Sequence, residues 1–504
     1  MLAKKGFDNE KYLQQQSREI LERIEKFKGK LYLEFGGKLL YDYHAARVLP
    51  GYDPNVKIKL LKQLKDKIDI LLCIYAGDIE KGHIRGDFGI TYDVDALKLI
   101  DGLRENGLDI LAVVITRFDN QIQAINFKNR LENHNINVYL HSATKGYPTN
   151  IDMIVSQEGY GKNTYIETHN PIVVVTGPGP GSGKLATCLS QMYHDYKKGI
   201  QSGYAKFETF PVWNLPLKHP LNLSYEAATA DINDFNVIDP FHLNAYGISA
   251  VNYNRDVEIF PVLKRIMEKI TDGKIPYASP TDMGVNRVGF AITDDDVVQD
   301  ASKQEIIRRY FRYRYESIMG VGDKNIVEKM ILLMEECGVK EKDRVVVQPA
   351  RDAAIEKRKD GKEVPKISCA AAIQLKNGTI VTGKNSCLMS AASSLVLNAI
   401  KQLAGIPDAI HLLSPHVIEN IAKMKREVLN LKNEILDLAE TLIVLNFSAA
   451  TNPAAEVAME KLGELAGCDA HFTHIPVPGD ETGLRNLQIY ITTDGYFPSS
   501  TLVL

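Results

Sequence analysis

Pro171-Ile172-Val173-Val174-Val175-Thr176 runs into Gly177-Pro178-Gly179-Pro180-Gly181-Ser182-Gly183-Lys184, and then into Leu185-Ala186-Thr187-Cys188-Leu189. An apolar strand, a glycine-rich turn and a helix start together make a loop that can hold an anion. Glycines lack the Cβ that would keep an anion off the backbone, and the N–H groups and dipole of the helix start favour negative charge. Lys184 stands where the lysine of a phosphate-binding loop reaches terminal phosphates. The expected binding residues are Thr176, Gly177, Gly179, Gly181, Ser182, Gly183 and Lys184, with Lys184 also neutralising a transferred phosphoryl group. The P-loop pattern is met in part: Pro178 replaces its first glycine, Leu185 replaces its Mg²⁺-binding hydroxyl, and Thr187 comes two residues late. The Gly-x-Gly-x-x-Gly pattern of dinucleotide sites fails, and no strand-ending acid follows about twenty residues on. A tight turn whose glycines serve packing alone is the competing reading.

Further candidates surround this loop in sequence. Lys81-Gly82-His83-Ile84-Arg85-Gly86-Asp87 follows a strand ending near Tyr75, so His83, Arg85 and Asp87 are candidates to face the glycine loop. Arg85 would then contact phosphate, and Asp87 a metal or a substrate hydroxyl; a solvated loop is the plainer alternative. Asp87-Phe88-Gly89 has no other kinase element with it. Beyond Lys184 the acid expected inside a strand is Glu208, which joins Lys184 and Asp87 as a catalytic candidate. Asp231 is a second candidate metal ligand, in an Asn/Asp-rich stretch with Glu226, Asp234, Asp239 and His242, most of which also suit turns. Asn252-Tyr253-Asn254-Arg255-Asp256 could clamp a phosphate. Arg308 to Tyr315 interleaves arginines with aromatic residues, which suits RNA stacking or, on a helix, packing; with a net charge of −3, nucleic acid is not the expected partner. Cys468, His471 and His474 offer soft ligands without a fourth nearby, and zinc is not expected.

The elements that must position these residues alternate. Helices at 55–66, 93–105 and 121–134 precede strands at 68–75, 108–115 and 136–141, and the strand 172–175 carries the loop. Short apolar strands between amphipathic helices predict an α/β fold with a largely parallel, two-faced sheet, and ligands in such sheets sit beyond the carboxyl ends of the strands. A hairpin is expected at 31–41 around Gly36-Gly37, a strand at 204–213, and a long irregular segment at 214–248. The expected division is an α/β domain with the phosphate-binding loop at 1–275, a helical unit at 276–342 and a C-terminal three-layer α/β/α module at 343–504. That module is expected to hold strands near 344–348, 367–375, 379–382, 442–447 and 487–492, with a turn at Asn377-Gly378. Ile421, Met424, Val428, Leu431, Ile435, Leu438 and Leu442 alternate at spacings of three and four, which reads as a self-association seam or as one long packed helix.

At 504 residues, 45% hydrophobic and 24% charged, the composition is that of a soluble multidomain protein. Six scattered cysteines suggest reduced thiols in a cytoplasm. The start Met1-Leu2-Ala3-Lys4-Lys5 does not resemble a signal peptide, and apolar runs of strand length predict no membrane-spanning helix. The glycine-lysine loop, the Asn/Asp-rich middle, the helical unit and the C-terminal module together resemble a bacterial family catalogued as domain of unknown function 1846. The C-terminal module also resembles a cytidine-deaminase-like sandwich: strand 367–375, the Asn377-Gly378 hairpin, strand 379–382, helix 389–404 and Ser414-Pro415 come in that order. Zinc deaminases carry His/Cys-x-Glu and Pro-Cys-x-x-Cys at the two helix starts. Here Ser390-Ala391-Ala392-Ser393 and Pro415-His416-Val417-Ile418-Glu419 stand instead, so deaminase chemistry is not expected. The reading from sequence is a cytoplasmic, homo-oligomeric, nucleotide- or phosphometabolite-binding enzyme of kinase or phosphohydrolase type, using ATP and Mg²⁺. A non-catalytic, oligomeric metabolite-binding or regulatory protein is the alternative.

Overall fold

The computed structural model describes residues 4–27, 29–85, 90–359 and 367–498, which divide into two compact units, Lys4–Ser302 and Lys303–Leu504. The first unit is built on seven strands: β1 (Lys30–Phe35), β2 (Ile68–Tyr75), β3 (Ala112–Thr116), β4 (Val138–Leu140), β5 (Ile172–Thr176), β6 (Ser202–Phe207) and β7 (Gly284–Val285). Their spatial order is β7-β6-β1-β5-β2-β3-β4, and every pair is parallel. Parallel strands need both faces covered, which is why β2 and β5 are almost continuously apolar and buried.

Helix α1 (Asn9–Phe27) precedes β1, and the glycine-loop strand β5 lies at the centre, between β1 and β2. Alternate residues of β1 serve opposite faces: Leu31, Leu33 and Phe35 pack with Ile58, Leu60 and Leu61, while Tyr32 packs with Cys188, Leu189 and Tyr193. The connection that leaves β1 therefore covers one face, and the one that leaves β5, helix α2 (Lys184–Lys197), covers the other. Where adjacent parallel strands send their connections to opposite faces, a crevice opens beyond their carboxyl ends. The glycine loop occupies that edge.

The expected hairpin at 31–41 does not form. β1 has β5 and β6 as parallel neighbours on its two edges, so no edge is left for 38–41; these residues turn away, with Leu39 buried in the core. The strand expected to reach 213 ends at Phe207, and Asn286 holds the following turn by donating to the Thr209 and Pro211 carbonyls at 3.3 and 2.8 Å. The segment read as irregular carries the helices Pro220–Ala228 and Pro240–Tyr246 and a strand, Asn236–Ile238, paired antiparallel with Val251–Tyr253. Helix α3 (Asn254–Ile270) then returns along the α2 face.

Helix α4 (Asp295–Ile318) carries the arginine-aromatic stretch, and its aromatics pack as a helix requires: Tyr310, Phe311 and Tyr313 are buried. Arg308 and Arg309 pair with Glu305, Arg312 with Glu316 and Arg314 with Glu341. In the second unit a four-stranded sheet runs β9-β8-β10-β11, from β8 (Ala370–Gln374), β9 (Ile380–Lys384), β10 (Asp469–Phe472) and β11 (Tyr490–Thr493). β8 is antiparallel to both neighbours and β10 is parallel to β11. The turn at Asn377-Gly378 joins β8 to β9 as expected, with Gly378 at φ +88°.

Two strands expected in this unit are absent. Residues 344–348 lead into helix α5 (Val347–Lys359), and 442–447 lie within helix α8 (Leu438–Ala449). A capping box between Asp437 and Glu440 nucleates α8 and overrides the β-branched run that follows it. The heptad pattern is also interrupted. Helix α6 (Ala391–Ala404) precedes it, helix α7 (Pro415–Glu427) carries its first part, and the chain leaves helical structure before α8 begins. Met424, Val428 and Leu431 are exposed while Leu438 is buried, so the seven residues form no single seam. Helix α9 (Pro478–Asn486) connects β10 to β11. Among the described residues no helix is long and apolar enough to cross a membrane.

Candidate active site at the glycine loop

Three strand ends meet around the loop. Thr116, at the end of β3, donates its hydroxyl to Ser182 O at 2.8 Å, with Ile74 O also at 3.3 Å. Arg117 follows with φ +49°, a left-handed conformation uncommon for a residue with a Cβ. Its guanidinium donates to Gly181 O at 2.6 Å and lies 3.4 Å from the Tyr75 ring centre at the end of β2. Lys184 folds back over the loop and donates to Gly179 O at 3.2 Å and Ser182 Oγ at 3.3 Å. Two cations thus sit on loop carbonyls, at the start of a fourteen-residue helix.

The loop glycines also meet packing demands. A Cβ on Gly177 would lie 2.4 Å from Cys73 O, and one on Gly179 would lie 2.5 Å from the Tyr92 ring. Gly183 caps α2 at φ +90° against Thr116. These constraints are compatible with ligand binding, because the same close approach that excludes a Cβ brings Thr116 and Arg117 onto the loop. Thr187, the hydroxyl nearest the motif position, is buried and accepts from Cys73 Sγ at 3.4 Å.

Glu208, expected inside a strand, lies one residue past the end of β6. A second acid, Glu34 on β1, is paired in register with Val175 of β5 on one side and Lys206 of β6 on the other. Glu34 is buried and accepts from the Tyr204 hydroxyl at 2.8 Å; burial and then the Glu34 charge push the thiols of Cys73 and Cys188 up, while Lys184 opposes the rise. Beside it, Lys206 pairs with Glu208 at 2.9 Å and with Asp256. Burial opposes the Lys206 charge, but Asp256, Glu208 and Glu34 override it and raise its pKa. Burial raises Glu208 to about 7; Lys206 opposes this while Asp256 and Glu34 add to it.

Of the other candidates, Asp87 and the side chain of Arg85 lie outside the described residues. His83 stands 5.3 Å, ring to ring, from Tyr92, the residue packed on Gly179. Asp231 is exposed. Asp239 caps the helix Pro240–Tyr246 and accepts from Thr281 Oγ1 at 2.6 Å, and Asp234 pairs with Arg255, so these acids hold the fold together. Cys468 packs with the core residues Ala470 and Phe472, whereas His471 falls on the opposite face of β10, between Phe311 and Thr492, so the two cannot share a metal.

The sequence matches two family models end to end. Residues 5–338 match "Domain of unknown function DUF1846, N-terminal" and residues 342–503 match "Domain of unknown function DUF1846, C-terminal". The chain belongs to the DUF1846 family. It is 57% identical over 497 residues to a UPF0371 protein of Clostridium botulinum (strain Alaska E43 / Type E3), and 57% identical over 499 residues to a UPF0371 protein of Clostridium tetani (strain Massachusetts / E88). In both cases 99% of each chain is covered.

In this DUF1846 chain the raised pKa of Glu208 makes a testable contribution to stability. Between about 4.5 and 7 the folded state holds more protons at this site than the unfolded state, so stability falls as pH rises through that window. Glu208→Gln cannot ionise and should escape this loss. Relative to the variant, the wild type is expected to lose on the order of 3 kcal/mol between pH 4.5 and pH 8 in urea titrations. A constant difference would show that Glu208 ionises normally.

Proposed function

We propose that the Lys4–Ser302 unit binds a nucleotide or phosphorylated metabolite at Thr176–Lys184 and transfers or hydrolyses its phosphoryl group. The observation that carries this reading is the pairing of two cations, Lys184 and Arg117, with loop carbonyls at the carboxyl edge of the central strand. An oxyanion entering there would give the two cations an anionic acceptor in place of neutral carbonyls, and such ion pairs are stronger. The N–H groups that open α2 add a partial positive charge. Lys184 and Arg117 would neutralise the transferred group, and positioning with charge neutralisation is most of what such transfer requires.

Among the described residues no three His, Cys, Asp or Glu side chains form a ready metal cage. Mg²⁺ does not need one, since it is commonly held by one or two carboxylates together with substrate phosphates. Glu34 and Glu208 are the acids at this edge that would serve.

The test is thermal stabilisation by ATP–Mg²⁺, inorganic phosphate and sugar phosphates. Wild-type protein is expected to be stabilised by at least one of them, and Lys184→Ala and Arg117→Ala each to lose most of that shift. Stabilisation unchanged in Lys184→Ala would reject the site. The replacement of the metal-binding hydroxyl by Leu185 favours a second reading, a non-catalytic protein that holds a phosphorylated metabolite and responds by changing its assembly. Ligand-dependent change in oligomer size without turnover would select it.

For the second unit we retain the likeness to a deaminase-type sandwich without zinc chemistry. An antiparallel hairpin, a helix and a parallel strand pair in the order β9-β8-β10-β11 support it.

A further inference from the structure

The Lys303–Leu504 unit contains a hydroxyl-carboxylate pair, Ser390 and Asp480, in which the carboxylate also receives the first N–H of a helix. Helices α6, α8 and α9 begin close together: Ser390 caps α6, Asp437 caps α8, and Asp480 lies in the first turn of α9. Asp480 is 1% exposed, and both hydrogen bonds it receives fall on Oδ1, from Ser390 Oγ at 2.7 Å and from Leu438 N at 2.8 Å. Oδ2 carries neither. The side-chain charges that act on Asp480 are Asp437 and Glu440, both of its own sign. Burial, then these like charges, raise its pKa to about 6, against the hydrogen bonds from Ser390 and Leu438.

Capping α6 needs only a lone pair of Ser390, which accepts from Ser393 N at 3.1 Å. It does not need a buried carboxylate on the hydroxyl proton. A buried acid whose charged neighbours are of its own sign is costly to ionise, and carboxyls perturbed in this way cluster at functional sites. Ser390 itself is half-buried. Ser393 Oγ, 3.0 Å away, is the second and more distant acceptor for the Ser390 proton; it accepts from Thr441 at 2.9 Å and donates to Leu436 O at 3.2 Å.

We propose that Ser390 is a nucleophile activated by Asp480, and that the second unit carries an acyl-transfer or ester-hydrolysis site. Ser390 Oγ forms a bond to the ester carbonyl carbon while its proton passes to Asp480. The carbonyl electron pair moves to oxygen, where the starts of α6 and α8 favour negative charge. That pair then returns, the alcohol leaves with the proton from Asp480, and an acyl-serine remains. Water, giving a proton to Asp480, attacks the acyl carbon; serine leaves as the hydroxyl and a carboxylic acid is released.

The test uses the full-length protein and a fluorophosphonate probe, with the labelled residue mapped by mass spectrometry. A phosphorus–oxygen bond to Ser390 with loss of fluoride is expected, at a rate that falls as pH drops through about 6. Asp480→Asn should label at least tenfold more slowly, Ser390→Ala should not label, and wild type should release 4-nitrophenol from 4-nitrophenyl acetate. Absence of label on wild-type Ser390, label elsewhere, or a pH-independent rate would overturn the proposal, and these readouts need no variant. A purely structural Ser390–Asp480 tie would lower the melting temperature of the variants while leaving wild type unreactive.

Discussion

Gly183→Ala should destabilise the first unit by about 3 kcal/mol and, if the proposed site is right, remove ligand stabilisation at the loop as well. Gly183 holds φ +90°, which an alanine adopts only under strain. Its added Cβ would also lie 2.7 Å from both Oγ1 and Cγ2 of Thr116. Thr116 is buried and β-branched, so its side chain has little freedom to yield. Moving it breaks the 2.8 Å bond to Ser182 O that ties the loop to β3. Gly181 is the internal control. It too has positive φ, +73°, but its Cβ would meet nothing nearer than Arg117 at 4.0 Å. Gly181→Ala should therefore lose only about 1–2 kcal/mol, the backbone strain alone. Urea denaturation of the two variants side by side measures the difference; equal losses would show that contact with Thr116 does not hold the loop.

Asp195→Ala is expected to lower stability by about 3–5 kcal/mol, the effect of leaving a buried charge without its partner. Asp195 lies at the far end of α2 from the glycine loop and is fully buried. It accepts from the Tyr32 hydroxyl at 2.8 Å and the Tyr165 hydroxyl at 2.9 Å, and it pairs with Lys30 at 3.3 Å. Alanine would strand the Lys30 ammonium and two phenols at once. Asp195→Asn keeps an acceptor but no charge and should recover part of the loss. Because Asp195 fixes the helix and touches no loop residue, the folded fraction of Asp195→Asn should still respond to any phosphorylated ligand found to stabilise wild type under the proposal above. Loss of binding at retained folding would show that α2 must be rigidly placed for the loop to work.

The candidate site was partly visible in the residues. Strand, glycines, lysine and helix follow one another within eighteen positions, and local periodicity with turn chemistry is enough to recognise such a unit. Arg117 and Glu34 could not be found that way. Arg117 is an ordinary arginine after a strand until the fold bends it into a left-handed conformation over Gly181. Glu34 is one acid inside Leu31-Tyr32-Leu33-Glu34-Phe35, and nothing local says that this strand lies beside β5, which follows it by more than 130 residues. The failures in the second unit have a different cause. The apolar run at 442–447 has strand composition, but the capping box at Asp437 and packing against α6 and α9 make it helical. Tertiary context overrides propensity when the run is short.

The sequence by itself determined the alternation of elements, the parallel two-faced sheet and the place of the glycine loop at a strand's carboxyl end, because burial and glycine stereochemistry act over a few residues. Tertiary structure alone decided strand order, and with it which distant charges share the loop's edge. It also decided which acids are buried far enough for their protons to be held near neutral pH: Glu208 at the sheet edge and Asp480 where three helices begin. Desolvation depends on everything packed around a carboxyl, and no window of sequence contains that.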